Sequence, residues 1–123
     1  MVSKNHYLIV AIIYAAALAS ILLVPNDGLP YFGTSYEDKI YHLLAYGLLC
    51  FLWTKVFLLY EIKRAILLAL LFSIIYGTII EVLQGYLTDT RRSSVGDSIA
   101  NGVGAILVSL FFTVKRKTSV KNL

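Results

Sequence analysis

The chain has 123 residues, of which 59% are apolar and only 15% are charged. Soluble domains average ~45–50% apolar and ~25% charged residues, so the composition excludes a soluble globular protein. It also excludes a disordered chain, because disorder requires low hydrophobicity and high net charge. A membrane-spanning helix needs ~20 residues, which leaves room for about four spans. The sequence therefore predicts a single all-α domain over residues 1–123, a polytopic membrane protein built as a four-transmembrane-helix bundle.

The first apolar run covers residues 7–24 and contains no charged residue. It follows Lys4 and includes the small residues of the 17–19 segment, a pattern that also occurs in cleaved secretory signal peptides. The apolar run continues through residues 21–24, beyond the point where cleavage would fall. We therefore expect this segment to be a membrane span.

Three further apolar runs follow, over residues 40–60, 65–84 and 98–114. Both prolines lie in the loop between the first two spans, together with other turn-forming residues. Small residues recur at every fourth position on the first span and, as Gly96, Ala100 and Gly104, on the fourth. This spacing predicts close contacts between helix backbones.

The distribution of Lys and Arg predicts the orientation of the chain in the membrane, because positive residues near span ends stay cytoplasmic. Eight of them fall on one side of the four spans and three on the other. The first group is Lys4, Lys55, Lys63, Arg64, Lys115, Arg116, Lys117 and Lys121, and the second is Lys39, Arg91 and Arg92. We expect both termini in the cytoplasm of a bacterial inner membrane. The net charge of +4 then reflects topology, and no nucleic-acid partner is expected.

Polar residues occur inside three of the four spans at helical spacing, so that those of each span share one face. They are Asp38, His42 and Tyr46 near the second span, Glu81 and Gln84 on the third, and Asp97 and Asn101 on the fourth. An even number of crossings places all of them near the same side of the membrane. We expect one polar site just below the headgroups on the outer side.

Each of these residues also has a simpler structural explanation. Asp38 and Asp97 precede spans and could be N-caps, and His42 could bond a neighbouring helix. Glu81 is the hardest to explain in this way, because a carboxylate below the interface is costly unless it is paired, protonated or hydrated. No phosphate-binding glycine loop, zinc motif, cysteine pair or nucleophile elbow is present, and we expect no metal or cofactor. The single Cys50 is interpreted as a packing residue.

Three segments together resemble the VanZ-like family of small bacterial membrane proteins. They are Asp38-Lys39-x-x-His42-x-x-x-Tyr46, Tyr76-Gly77-x-x-x-Glu81-x-x-Gln84, and Arg91 followed by Asp97-x-x-x-Asn101-x-x-Gly104. The resemblance covers more than half of the chain. It implies a cell-envelope protein with a multi-helix membrane core, related to a protein associated with low-level teicoplanin resistance. No accepted reaction comes with the family.

The resemblance and the chemistry of the residues together indicate a set of site residues, which we divide by possible role. A catalytic set would be His42, Glu81 and Arg91. A ligand-binding set would be Asp38, Lys39, Tyr46, Gln84, Arg92, Asp97 and Asn101. The spacing to Asp97 favours Arg91 as the site arginine, although Arg92 is adjacent. Family members often carry an aromatic or acidic residue between the site arginine and the aspartate, whereas residues 93–96 of this chain include neither type.

Three functions stay open from the sequence, and a fourth, a transporter, is the weakest because no proline interrupts a span and the polar residues lie near one surface of the membrane. The first, which we favour, is an outward-facing site for an anionic envelope lipid or a glycopeptide-like ligand, linked to glycopeptide resistance. The second is a membrane-embedded enzyme that acts on a lipid-linked phosphate or glycan, with His42 as base and Arg91 stabilising phosphate charge. The third is a purely structural polar network. Membrane lipids are the expected partners, and oligomers are compatible with the sequence.

Overall fold

A computed structural model describes residues 3–23, 35–87 and 95–121, with side chains for residues 3–23, 39–86 and 96–117. Four helices make up nearly all of this part: α1 (Lys4–Leu23), α2 (Ser35–Leu59), α3 (Ala65–Leu87) and α4 (Val95–Lys121). Each contains a segment of 20 to 22 residues that is apolar enough to cross a membrane. The predicted all-α four-helix architecture is confirmed, and the chain is a multi-pass membrane protein.

Two helices extend well beyond the apolar runs that predicted them. α2 begins at Ser35 rather than at residue 40, and α4 ends at Lys121 rather than at residue 114. The length of an apolar run reflects the thickness of the hydrocarbon layer that the span crosses. A helix that has already formed can extend into polar sequence, because each added residue contributes one more hydrogen bond. Asp38 and Asp97 consequently lie inside the first turns of their helices. The N-cap interpretation of both residues is wrong, although Asp97 still faces the positive end of the α4 dipole.

α2 and α3 form the middle of the bundle, and α1 and α4 flank them without contacting each other in the described ranges. Two hydrogen bonds show that α1 runs opposite to α2. Near the start of α1, Asn5 accepts a hydrogen bond of 2.6 Å from Tyr60, and further along α1, Tyr14 donates to the carbonyl of Ala45. α4 runs parallel to α2, as the ring contact between Phe51 and Phe112 and the ion pair described below show. The helices therefore alternate in direction along the chain.

We call the two ends of the bundle by their charged residues. The basic end carries the connection between α2 and α3 and the end of α4. Its cations with described side chains are Lys4, Lys55, Lys63, Arg64, Lys115, Arg116 and Lys117. The opposite end, where α2 and α4 begin and α3 ends, is the site end.

The core between α2 and α4 is built on small residues. A Cβ atom added to Gly104 would overlap the carbonyl oxygen of Leu43 and lie 3.1 Å from the backbone nitrogen of Gly47. No side chain fits there, so α2 and α4 cross backbone to backbone. Gly104 belongs to the fourth-span repeat of small residues, and the predicted close contact of that helix is confirmed.

The connection between α2 and α3 is short because α2 ends in a Schellman motif. The backbone N–H of Ile62 bonds to the carbonyl of Phe57 at 2.9 Å, and that of Glu61 bonds to Leu58 at 3.1 Å. Glu61 takes a left-handed φ of 57°, a conformation that glycine usually provides at this position. The motif reverses the chain within five residues and presents Arg64 at the start of α3.

Candidate polar site

Helices α2, α3 and α4 each place one ionisable side chain at the same buried point of the site end. His42, Glu81 and Asp97 are 5%, 2% and 7% exposed, and ligand atoms of all three lie within 4.8 Å of one another. Asn101 lies one turn further along α4 and is also buried. The structure therefore brings together residues that are separated by up to 59 positions in the sequence. We call Lys39, His42, Glu81, Asp97 and Asn101 the polar site.

The imidazole of His42 is held on both sides by α4. Its Nδ1 lies 3.1 Å from the Oδ1 of Asn101, and its Nε2 lies 3.6 Å from the Oδ2 of Asp97. An amide oxygen only accepts, so Nδ1–H donates to Asn101 and Nε2 faces the carboxylate. This arrangement fixes the ring against α4 and assigns a protein partner to each of its nitrogens.

Lys39 forms the outer rim of the polar site. Its Nζ lies 3.4 Å from the Oδ1 of Asp97, and its side chain is 41% exposed whereas that of Asp97 is 10% exposed. The ammonium group is one turn of α2 before His42, nearer to the end of the bundle. A ligand that approaches the site end therefore meets Lys39 before it meets the carboxylates.

Tyr46 forms the floor of the polar site, one turn of α2 below His42. The two rings are nearly parallel, with centroids 6.3 Å apart, and Tyr46 is only 1% exposed. Among the described residues, neither the Tyr46 hydroxyl nor the Nδ2 of Asn101 has a hydrogen-bond partner. Both are buried polar groups, which are uncommon without a partner.

Gly77 makes the room that this floor needs, and the sequence interpretation assigned it no role. A Cβ atom on Gly77 would lie 3.0 Å from a ring carbon of Tyr46 and 3.1 Å from the Nδ2 of Asn101. Any larger residue would push one of those two side chains. The sequence did contain an indication of this role, because glycine is unfavourable inside a helix and Gly77 lies in the middle of the third predicted span, beside Tyr76.

Gln84 points toward α1. Its Nε2 donates a hydrogen bond of 2.8 Å to the carbonyl oxygen of Leu22. Two tyrosines make similar contacts further along, since Tyr14 bonds the carbonyl of Ala45 and Tyr76 bonds the carbonyl of Ala15. These bonds attach α1 to α2 and α3, which is a structural role for Gln84. Its predicted part in ligand binding stays a prediction.

Two of the predicted site residues, and the side chain of a third, lie outside the described residues. Arg91 and Arg92 lie in the segment of residues 88–94, which is outside the described residues, and the side chain of Asp38 is outside them as well. The backbone of Asp38 lies on α2, one turn before His42. Arg91 therefore stays the predicted site arginine, with Arg92 as the alternative.

One imidazole and two carboxylates are a donor set that divalent transition metals accept. His42, Glu81 and Asp97 could together hold such an ion. The ammonium of Lys39 already neutralises one of the two carboxylates at 3.4 Å, and it would repel a cation bound there. These charges therefore favour an ion-pair network over a metal centre.

Comparisons of the chain with known protein families, with curated proteins and with solved structures found no match. The fold and the site together define the class: a multi-pass, four-helix membrane protein in which, among the described residues, buried ionisable side chains cluster at one end of the bundle.

Proposed function

We propose that this chain is a VanZ-like protein of the bacterial cell envelope. Its polar site would bind the headgroup of an anionic envelope lipid or of a glycopeptide-like ligand. The observation that carries the proposal is the convergence of His42, Glu81 and Asp97 at one buried point. Charged groups inside a membrane protein are costly and usually mark a functional site.

The geometry favours binding over catalysis. A general base must present a free ring nitrogen to the proton that it removes, and both nitrogens of His42 face groups of α4. The catalytic roles considered for His42 and Glu81 would require this network to open first. A binding site needs no such rearrangement, because Lys39 is already at the rim and partly exposed.

The charges indicate how an anionic ligand would bind. The carboxylates of Glu81 and Asp97 would repel a phosphate placed directly against them, whereas Lys39 can reach it from the rim. The chain supplies two more cations, Arg91 and Arg92, only four and three residues before α4 begins. We propose that Lys39 and these arginines pair with the anionic group. The buried carboxylates then hold Lys39 and His42 in position.

The proposed orientation places the site end outside and the termini in the cytoplasm. It rests on the eight-to-three distribution of Lys and Arg. In a chain with Cys50 replaced by Ala, cysteines at residues 35 and 90 should react with an impermeant maleimide added to intact cells. A cysteine at residue 119 should not react. Labelling at residue 119 alone would reverse the orientation.

A susceptibility assay tests the function. Cells that express equal membrane amounts of wild type, Glu81→Gln and Arg91→Ala are compared for their response to teicoplanin. We expect both variants to lose the change in susceptibility that the wild type confers, because one disturbs the buried network and the other removes a proposed ligand contact. Glu81→Gln keeps the shape of the side chain, so it should stay folded in detergent.

Lys63→Gln is the matched control, since it removes one positive charge from the opposite end of the bundle. It should behave as the wild type does. If Glu81→Gln and Arg91→Ala both keep full activity with unchanged thermal stability, the polar site is only structural and the proposal is wrong.

A further inference from the structure

A second feature lies at the other end of the molecule, on the surface between α3 and α4. A groove of about 750 Å³ opens there, within the volume range of small-molecule sites. Its walls are apolar and include Leu67 and Leu70 of α3 and Ile106 and Leu110 of α4. Three of these four side chains are at least 45% exposed, so the groove faces the membrane.

Three cations line the basic end of this groove: Arg64, Arg116 and Lys117. All three are exposed, and none forms an ion pair with any other residue that the structure describes. The sequence contains one acidic residue on this side of the spans, Glu61. The groove therefore joins an apolar channel to a site of uncompensated positive charge.

The length of the groove matches one leaflet of a bilayer. Ile106 and Lys117 are eleven residues apart on α4, which corresponds to ~16 Å along the helix. This is about half of the ~30 Å hydrocarbon thickness. A groove that starts at the headgroups and ends near the midplane has the dimensions of a single lipid chain.

The polar groups inside the groove are already engaged by the protein. The Thr113 hydroxyl donates to the carbonyl of Ser109 at 2.8 Å, and the Ser109 hydroxyl lies 3.6 Å from the sulfur of Cys50. A polar solute would find hydrogen-bond partners only at the cationic mouth. The occupant must therefore combine an anionic head with an apolar chain.

From these observations we propose that the groove between α3 and α4 binds an anionic glycerophospholipid, with its phosphate at Arg64, Arg116 and Lys117 and one acyl chain along Leu70 and Leu110. Basic pockets between membrane helices bind anionic headgroups by the same charge complementarity. A second copy of the chain is a poorer occupant, because a symmetric contact would bring these cations against each other. The site is independent of the polar site at the opposite end.

The test uses the purified full chain in detergent, with phosphatidylglycerol as probe and phosphatidylcholine of the same acyl chains as reference. Bound lipid is counted by native mass spectrometry, and thermal unfolding is followed as lipid is added. We expect wild type to retain phosphatidylglycerol in preference to phosphatidylcholine. The triple variant Arg64→Gln, Arg116→Gln, Lys117→Gln should bind phosphatidylglycerol on the order of 100-fold more weakly.

The matched control removes the same number of charges from the same end, as Lys55→Gln, Lys63→Gln and Lys115→Gln, none of which lines the groove. It should bind phosphatidylglycerol as wild type does. Equal losses in both triple variants would mean a general attraction to a basic surface and would overturn the proposal, as would no loss in either.

A second pair of variants tests the acyl chain without changing charge. Leu110→Trp fills the groove, whereas Leu107→Trp changes a residue of equal exposure on the same helix outside the groove. We expect only Leu110→Trp to lose phosphatidylglycerol. If Leu110→Trp binds the lipid normally, or if inorganic phosphate stabilises wild type as well as the lipid does, the acyl chain of the lipid does not occupy the groove. A dimer that covers the groove and excludes lipid would also contradict the proposal.

Discussion

The two ends of the bundle hold their charged side chains in opposite ways. At the site end, His42, Glu81 and Asp97 are buried and oriented by contacts across helices. At the basic end, Arg64, Arg116 and Lys117 are exposed at the mouth of an apolar groove. Because the first set is buried, its charges depend on partners that helix packing brings to them, whereas the second set acts through its summed charge. Charged side chains should therefore respond very differently to substitution at the two ends.

The largest effect is expected where the backbones of α2 and α4 cross. Gly104→Ala places a methyl group against the carbonyl oxygen of Leu43, so the helices must separate, at a cost of about 3 kcal/mol. Gly102→Ala, on the same helix with no atom within 4 Å of the new methyl group, should instead stabilise the protein by about 0.5–1 kcal/mol. Thermal or denaturant unfolding in detergent compares the two. Equal effects would show that the close crossing is not needed.

The next effect concerns the carboxylate of Asp97. Asp97→Asn removes the charge that faces both Lys39 and His42 and should destabilise the chain by about 2 kcal/mol, a value reduced because Lys39 is partly exposed. Glu61→Gln removes an exposed acid from the basic end and should change the free energy of unfolding by less than about 0.5 kcal/mol. If Asp97→Asn is as well tolerated as Glu61→Gln, burial does not distinguish the two ends.

Coupling between residues sharpens the comparison further. His42→Ala and Glu81→Gln affect groups within 4.8 Å of each other, and their effects on unfolding should deviate from additivity by about 1 kcal/mol. Arg64→Gln and Arg116→Gln at the groove mouth should be additive within about 0.5 kcal/mol. A double-mutant cycle measures each pair. Additivity at the site end would indicate separate structural roles for His42 and Glu81.

The smallest effect comes from the backbone of the basic end. Glu61→Gly relieves a left-handed conformation of φ 57°, and it should stabilise the protein by about 0.5–1 kcal/mol. Lys63→Gly, two residues later and without a positive φ, should destabilise it slightly, because glycine loses more conformational freedom on folding. Unfolding measurements on the pair check both signs. Stabilisation by both changes would leave the Schellman geometry without support.

Part of the polar site follows from the sequence because helices impose regular spacing. The four-residue interval between His42 and Tyr46 places both on one face of α2, and alternating crossings place Glu81 and Asp97 near the same end. Gly77 and Gln84 were harder to interpret. Helical spacing shows which residues share a face but not which neighbouring helix that face contacts. The contact of Gln84 with Leu22 on α1 could therefore not be predicted from the spacing between Gln84 and Glu81.

The sequence by itself determined the number of spans, their order and which polar residues share an end. Those properties depend on the length of apolar runs and on helical periodicity, which are local. Only the tertiary structure decided that His42 meets Asn101 and Asp97, and that Arg64 joins Arg116 and Lys117 across an apolar groove. Both outcomes depend on how far each helix turns about its own axis and how closely it approaches its neighbour. Between α2 and α4, this approach depends on the contact of Gly104 with Leu43 and Gly47, which lie more than fifty positions away in the sequence.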